Sequence, residues 1–579
     1  MQVDYKGARR SVDSATQTDS NTSEAAVQTV PVLSSTDQTV HIITESSQPS
    51  QSISVTATSN CSISMVDDSQ DISYQPSTES VTTSQSQSQS TTTVSLIDDR
   101  KFLVFESQLD RLFNMLICPK CQSPYCADDM IKKCIDGTQL HVIAFGVCGH
   151  VIVDWVSQPV LGRMPAGNLL LSAATVFSGQ TYQHVQNIAQ FLNLNFMSSV
   201  TFYEAQRTNL VPVILTAWKN YQQCLFDELR RAGKPLRLCG DGRMDSPGFS
   251  AKYCTYSLMD MTSNKVLSFA VVTVTEAGGS STNMEVLAFE RCLDELHQHG
   301  FTVEVIATDR HVQVRSLMKR KFPSIRHQFD VWHVAKSFRK KLHAISQKKI
   351  NSDLSPWSQS ISNHLWWCAA NCGGDANKLT EMWISIIHHV VNVHHFSGEY
   401  FQHCAHPCLS DNEQRRKKWL EPLSPAHNAL KEIVMKKTLL TDIRHLSEFC
   451  HTGQLEVYHS LITKYCPKRQ EFDLTPMTAR TALAVLDHNN NVDRQQQVTS
   501  DGVPRVKTVY SKVSRKWVVK PIYECKTYDY ISDLLNSVVD QQETHSLEPV
   551  STSSHCQNIA PIPAPSKSEL LSRHCSRFS

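Results

Sequence analysis

Leu236-Arg237-Leu238-Cys239-Gly240-Asp241-Gly242-Arg243-Met244-Asp245-Ser246-Pro247-Gly248 opens the stretch that decides the fold: an apolar extended run, an acid, then turn formers. Two more strand-like runs follow, Tyr253 to Met259 and Val266 to Val274, joined by Thr262-Ser263-Asn264. From Met284 to His297, the residues Val286, Phe289, Leu293 and Leu296 fall on one face at helical spacing. Val303 to Asp309 then runs apolar into a second acid, and a basic helical segment, Val312 to Phe322, comes after it.

Three sequential strands, a helix and a further strand ending in Asp resemble the order of an RNase H-like sheet. In such a sheet strands one and four are neighbours and carry their acids to one edge. Adjacent carboxylates repel, and divalent metal between them makes the arrangement tolerable. Asp241 and Asp309 are therefore expected to form a two-Mg²⁺ phosphoryl-transfer site. Either acid taken alone reads more readily as an ordinary strand-end cap; it is the pair and its setting that point to a site. Asp245 rivals Asp241, since both follow the same strand, but Asp245-Ser246-Pro247-Gly248 has the composition of a turn.

A chain of 579 residues has room for several domains and a sizeable core. Its formal net charge of +1 argues neither for nor against nucleic acid. No apolar run is long enough to span a bilayer, and Met1 to Tyr5 lacks signal-peptide character. Nineteen cysteines in this setting suggest reduced thiols and metal sites, and a cytosolic or nuclear location.

Residues 1–95 are rich in Ser, Thr and Gln and are expected to be a disordered tail. Thr16-Gln17-Thr18, Val27-Gln28-Thr29 and Asp37-Gln38-Thr39 recur in β-prone surroundings that could add a strand to a partner's sheet. The first is similar to the Thr-Gln-Thr anchor read by dynein light chains. Residues 100–158 read as a zinc ribbon: Cys118-Pro119-Lys120-Cys121, a strand-rich interval at Leu140 to Phe145, then Cys148-Gly149-His150. Cys118, Cys121, Cys148 and His150 supply four ligands for a closed structural Zn²⁺, with Cys126 and Cys134 as competitors. Residues 159–232 read as helices, Ala166 to Val176, Tyr182 to Leu194 and Thr201 to Leu215. They suit either a helix-turn-helix, with Gln206, Arg207 and Thr208 facing DNA, or a plain three-helix support.

The α/β pattern covers residues 233–345, with Phe329 to His333 as a short extended run before a basic helix, Ala335 to His343. Residues 346–447 interrupt it as an all-helical insertion. Inside the insertion, His389, His394, Cys404 and His406 have spacing for a second zinc, among the rival ligands His388, His395, His403 and Cys408; interior histidines are the other reading. Arg415-Arg416-Lys417-Lys418 is a basic run, read as a solvated face, a DNA contact or a nuclear signal. Residues 448–490 close the core, with Glu456 on a helix carrying Leu455, Tyr458, Leu461 and Ile462 on its apolar side. Lys464, Lys468 and Arg469 beyond it, and Arg310 after the second acid, are candidate phosphate contacts. Residues 491–579 read as an irregular tail with one helix, Tyr528 to Val538.

Taken together, Gly240 to Gly248, Thr308-Asp309-Arg310-His311, Asp330-Val331-Trp332-His333, Leu455-Glu456-Val457-Tyr458-His459 and the terminal Ser576-Arg577-Phe578 resemble the eukaryotic cut-and-paste DDE transposases, closest to the Kolobok group. The resemblance covers roughly residues 110–530. It implies an RNase H-like α/β fold with a mixed five-stranded sheet, interrupted by the helical insertion and preceded by the ribbon. It implies two Mg²⁺ or Mn²⁺ ions bound by Asp241, Asp309 and Glu456, with His333 of the Asp-x₂-His signature supporting them. It further implies double-stranded DNA as substrate, a homo-oligomer and a nuclear location. Many relatives carry another type of zinc-dependent DNA-binding module ahead of the core, so the mode of end recognition stays open. A transposase-derived DNA-binding protein without catalysis, and a scaffold recruiting a light-chain-like partner, are the alternatives.

Overall fold

Sequence order dictates three successive structural regimes in the computed structural model, which describes residues 95–123, 131–246, 251–512, 515–550 and 565–574. The N-terminal tail with its Gln-Thr repeats, Cys126, Pro247-Gly248 and Ser576 to Phe578 lie outside the described residues.

The first regime is small. Helix α1 (Glu106–Phe113) stands beside an antiparallel sheet of β1 (Ile131–Asp136), β2 (Gln139–Phe145) and β3 (Val151–Val156). Its apolar content is slight: β1 and β3 have no buried residue, and Val142 and Ala144 of β2 are its buried strand residues. Lys133 ties α1 to the sheet through Glu106 and Asp110, at 2.7 and 2.6 Å. A short hairpin of β4 (Val160–Leu161) and β5 (Met164–Pro165) leads into α2 (Ala166–Phe177) and α3 (Tyr182–Phe191).

Helix α4 (Ser199–Ala205) does not end as a separate recognition helix would. It continues through one π-helical turn, Gln206–Leu210, into α5 (Val211–Ala232). Pro212 has no N–H to give the carbonyl of Thr208, so the regular ladder fails there. That carbonyl is taken instead by Gln541 Nε2 at 3.3 Å.

The second regime is a mixed five-stranded sheet of β6 (Leu236–Met244), β7 (Tyr253–Asp260), β8 (Val266–Thr273), β9 (Val303–Thr308) and β10 (Arg326–Phe329). The spatial order is β10-β9-β6-β7-β8. β6, β7 and β8 form an antiparallel meander, while β9 and β10 add in parallel on the other side of β6. α6 (Ser281–Gln298) and α7 (Val312–Lys321) bury Phe289, Leu293 and Leu317 against Leu238, Leu258 and Ile306 on one face. The opposite face, with Cys239, Val305 and Ala307, is covered by α5, α15 (Gly453–Tyr465) and α16 (Leu474–Asn491).

The run expected to be extended through His333 stops at Phe329. Asp330 caps α8 (Val331–Ser346), its Oδ1 accepting the His333 N–H at 2.8 Å, so Val331 to His333 form the first helical turn. The β-prone Val331 and Trp332 concealed this from the sequence.

The third regime is helical. α8, a 3₁₀ turn (Lys349–Leu354), α9 (Ser358–Asn371), α10 (Ala376–Ile384), α11 (Ile386–His389), α12 (Asp411–Arg416), α13 (Pro425–Val434) and α14 (Lys437–Ile443) precede α15. Phe338, Leu342, Leu365, Trp383, Leu430 and Leu446 give this insertion its own core. Beyond residue 491 the chain is more regular than an irregular tail. β11 (Val506–Ser511) and β12 (Lys516–Pro521) pair as a hairpin, and α17 (Asp529–Thr544) buries Leu534 and Val538 against the core that holds α2 and α5; α18 (Lys567–Ser572) follows. Among the described residues, no helix is long and apolar enough to cross a membrane.

Candidate functional site

Parallel pairing of β6 with β9 sets Cys239 opposite Ala307. Asp241 and Asp309 each lie two residues further on, so they stand level on neighbouring strands. Cys239 and Ala307 belong to the core beneath α15, and period-2 alternation turns both acids toward that helix. Glu456 comes from the first turn of α15.

Two histidines knit the acids together. His333 Nδ1 lies 2.9 Å from Asp309 Oδ1 and 3.4 Å from Asp330 Oδ1, and its Nε2 lies 3.9 Å from Glu456 Oε1. His459, one helical turn after Glu456, places Nδ1 3.4 Å from Asp241 Oδ2. The other oxygen of Asp241 accepts the Gly242 N–H at 2.8 Å. Asp330 is buried and holds the ends of two elements: besides capping α8, its Oδ2 accepts the Thr452 N–H and hydroxyl at 2.6 and 2.8 Å. Asp245 is used differently, its Oδ1 accepting the Lys252 N–H across the turn at 3.1 Å.

A fourth carboxylate joins from the far side of the sheet. Glu285 of α6 lies against Gly242, where an added Cβ would stand 2.8 Å from its Cγ, and there it feels the charges of Asp241 and Asp309. Sequence reasoning missed both Glu285 and His459. Glu285 sits between apolar positions of a helix and looks like a solvated charge; the signal that could have found it is Gly242, a bare position in mid-strand that admits a side chain from across the sheet.

The electrostatics reflect this crowding. Burial, then the charges of Asp241 and Asp309, push Glu285 up to about 8. Burial also raises Glu456, to about 7, with Asp330, Asp241 and Asp309 adding and His333 opposing. Asp309 is likewise raised by burial and by Asp241, against the pull of His333. Burial disfavours a charged His333, but the adjacent carboxylates of Asp309 and Asp330 outweigh it and hold the ring up at about 10. The cluster has one firm cation for several anions.

Soft ligands gather elsewhere. The ligand atoms of Cys118, Cys121, Cys148 and His150 all lie within 4.8 Å of one another. Cys118 Sγ is 3.6 Å from both Cys148 Sγ and His150 Nδ1. A tetrahedral zinc with bonds of about 2.3 Å to sulfur and 2.0 Å to nitrogen sets neighbouring ligand atoms about 3.3–3.8 Å apart, so the group has the right size. Gly149, at φ +77°, turns the chain so that Cys148 and His150 face one point. The Ser123 hydroxyl and N–H, with Cys148 and His150, hold the Cys121 thiol down at about 5. Cys134 is exposed on β1 and stays outside the group. A second group, His389, His394, Cys404 and His406, also comes together within 4.8 Å, without His388, His395, His403 or Cys408.

The candidate DNA contacts are scattered. Arg207 is exposed but paired with Glu204 at 2.7 Å, Thr208 gives its hydroxyl to the Glu204 carbonyl, and Gln206 is buried. The α3–α4 surface instead exposes Ile188, Phe191, Val200 and Tyr203, an apolar character unlike a groove-reading face. Arg310 pairs with Asp442 at 3.0 Å, and Lys464 lies 3.6 Å from Asp487 and over the rings of Tyr465 and Tyr528. Lys468 and Arg469, just past α15, are exposed. Lys468 feels the site: desolvation and Arg243 lower its pKa, while Asp241 and Asp245 oppose them. Compared with known proteins, the chain matches no family model and no curated protein.

Proposed function

We propose that this chain is a DDE-type DNA transposase, RNase H-like in fold and resembling the Kolobok group, that cuts and joins double-stranded DNA at Asp241, Asp309 and Glu456. One juxtaposition carries the reading. Two acids stand level on adjacent parallel strands, and a third arrives on a helix whose leading Thr452 lies 122 residues beyond Asp330. The sheet order, a meander with two parallel strands added beside its first strand, supports the same reading.

The residues fit a pair of hard divalent cations, Mg²⁺ or Mn²⁺. Their donors are all carboxylate oxygens, and burial first, with neighbouring carboxylates adding, raises both Glu456 and Glu285 in the metal-free fold. Asp241, Asp309 and Glu456 would hold the ions, with Glu285 as a fourth carboxylate. Such ions, when bound, lower the pKa of an attacking water and stabilise a leaving 3′-oxygen.

The chain's own residues fix the geometry. His333 engages one oxygen of Asp309 and faces Glu456, His459 restrains Asp241, and Asp330 anchors the helix that carries His333. Lys468, which feels Asp241 and Asp245, and the exposed Arg469 offer positive charge for a DNA phosphate. The ribbon groups with a structural Zn²⁺, since its donors are thiolate and imidazole in a closed set of four. Action on DNA implies a nuclear location and, with two element ends to hold, a homo-oligomer.

The test is Mn²⁺-dependent nicking of labelled DNA carrying the element's terminal repeats. Wild type should cut; Glu456→Gln and Asp309→Ala should fall by at least about a hundredfold, the scale of losing one well-placed electrostatic group, with DNA binding retained. Strand transfer by Asp309→Ala at the wild-type rate would overturn the assignment. Specific binding by wild type without cleavage would select the silent DNA-binding protein instead.

A further inference from the structure

We propose that His389, His394, Cys404 and His406 bind one structural Zn²⁺ that folds residues 391–419 and so presents the basic run Arg415 to Lys418 as a fixed surface. This stands apart from the acidic cluster and does not depend on it.

Local structure brings the ligands together. His389 ends α11, and Asn392, at φ +62°, reverses the chain immediately after it. His395 and His403 then form a β-bridge, flanked by backbone bonds from Phe396 N–H to the Gln402 carbonyl and from Cys404 N–H to the His394 carbonyl. That small hairpin sets His394 and Cys404 side by side. Cys404 Sγ lies 3.4 Å from His394 Nδ1 and 3.5 Å from His389 Nδ1. Both distances are nitrogen–sulfur edges of the size a zinc tetrahedron requires, about 3.5 Å from its bond lengths.

The outer ring atoms are occupied in the way metal-binding histidines need. His406 Nδ1 donates to the Pro407 carbonyl at 2.7 Å, which leaves its Nε2 with the lone pair. That Nε2 is buried and has no hydrogen-bond partner. His394 Nε2 donates to Asn392 Oδ1 at 3.0 Å, which frees Nδ1 toward Cys404. A second group on the far ring nitrogen fixes tautomer and orientation. Trp357 and Trp419 pack against the His389 ring, at 5.9 and 5.8 Å, and shield the group from water.

Something other than apolar burial must fold this excursion. Between Val390 and Leu420, both buried, no residue from 391 to 419 is buried. A segment with no core of its own is where a metal serves as one. Three imidazoles and one thiolate make a borderline-soft donor set that favours Zn²⁺, and four protein ligands leave no open position, so the site is structural. The basic run hangs from it: Trp419 gives its indole N–H to the Gln414 carbonyl, Trp357 gives its own to the Lys418 carbonyl, and Lys417 lies over the Trp419 ring.

Zinc per full-length chain tests this. Wild type should carry two, one for each Cys/His group, and Cys404→Ala should lose half of that content while keeping the ribbon's zinc. To guard against misfolding of that variant, a Cys118→Ser/Cys121→Ser/Cys148→Ser chain loaded with Co²⁺ should show tetrahedral d–d bands and a thiolate charge-transfer band from Cys404. Stripping its metal should open tryptic cleavage at Arg415 to Lys418. A wild-type chain with one zinc, no charge-transfer band in the ribbon variant, or unchanged trypsin resistance after stripping would each overturn the proposal.

Discussion

The acidic cluster and the ribbon are two ligand sets built on opposite physical principles. The acids sit beside a deeply buried strand: β7, next to Asp241's strand, is buried along its whole length. Their positions follow from strand register and helix packing, which exist without any ion. The ribbon's thiolates and imidazole sit on a sheet with almost no buried side chain, so there the ligand set must create the fold it belongs to. In one region the fold makes the site; in the other the site makes the fold. Removing ligands should therefore leave the first structurally sound and dismantle the second.

The contrast breaks or sharpens under three perturbations. The largest effect belongs to the ribbon. Cys121→Ser, or chelation, should unfold residues 106–156, because a structural zinc of this kind contributes on the order of 10 kcal/mol to a small domain. Hydrogen exchange would show protection lost from β1 to β3 and kept in β6 to β9; loss in both would mean the two regions fold as one. A smaller effect is expected at Gly242→Ala, whose new Cβ displaces Glu285 by pushing on its Cγ. DNA cleavage should fall by about tenfold to a hundredfold, the cost of a misplacement near 1 Å, with little change in melting temperature. Equal loss from Glu285→Gln would assign that effect to the carboxylate itself.

The smallest is a pH dependence. Glu456 and Glu285 keep protons up to about 7 and 8 in the metal-free fold, above their ordinary 4.5. Between those values the folded chain binds more protons than the unfolded one, so metal-free stability declines as pH rises through that window. A divalent cation displaces the same protons, so Mn²⁺ affinity should rise with pH by about tenfold per unit for each proton released, levelling above about 8. Calorimetric titration in buffers of different ionisation enthalpy would count those protons. Affinity that ignores pH over this range would place the cation elsewhere.

Much of this architecture was legible before any coordinates. Asp241 and Asp309 announce themselves because each follows an apolar run, while the expectation that their strands are neighbours comes from the likeness to an RNase H-like sheet. The ribbon's Cys-x₂-Cys is equally plain. Glu456 is legible only through resemblance, since a helical Glu carries no local mark of its partners. Glu285 and His459 were hidden for the same reason: their roles depend on contacts across the sheet and around α15. The helix expected from Thr201 to Leu215 runs further, through α5 to Ala232, and Gln541, more than three hundred residues on, supplies the Thr208 carbonyl with the bond that Pro212 cannot give.

The Asp330–Thr452 clamp also bears on how the protein comes into being. Its bonds close a sequence separation of 122 residues, and the entropy of that closure must be offset before α15 can dock. The insertion between the two ends has a core of its own, which holds them close enough for the clamp to form. Asp241 and Asp309 come from adjacent strands, whereas Glu456 joins them through the closure between Asp330 and Thr452. Under the proposed function, a chain that ends before α15 lacks Glu456 and should not cut DNA, however well its sheet is formed.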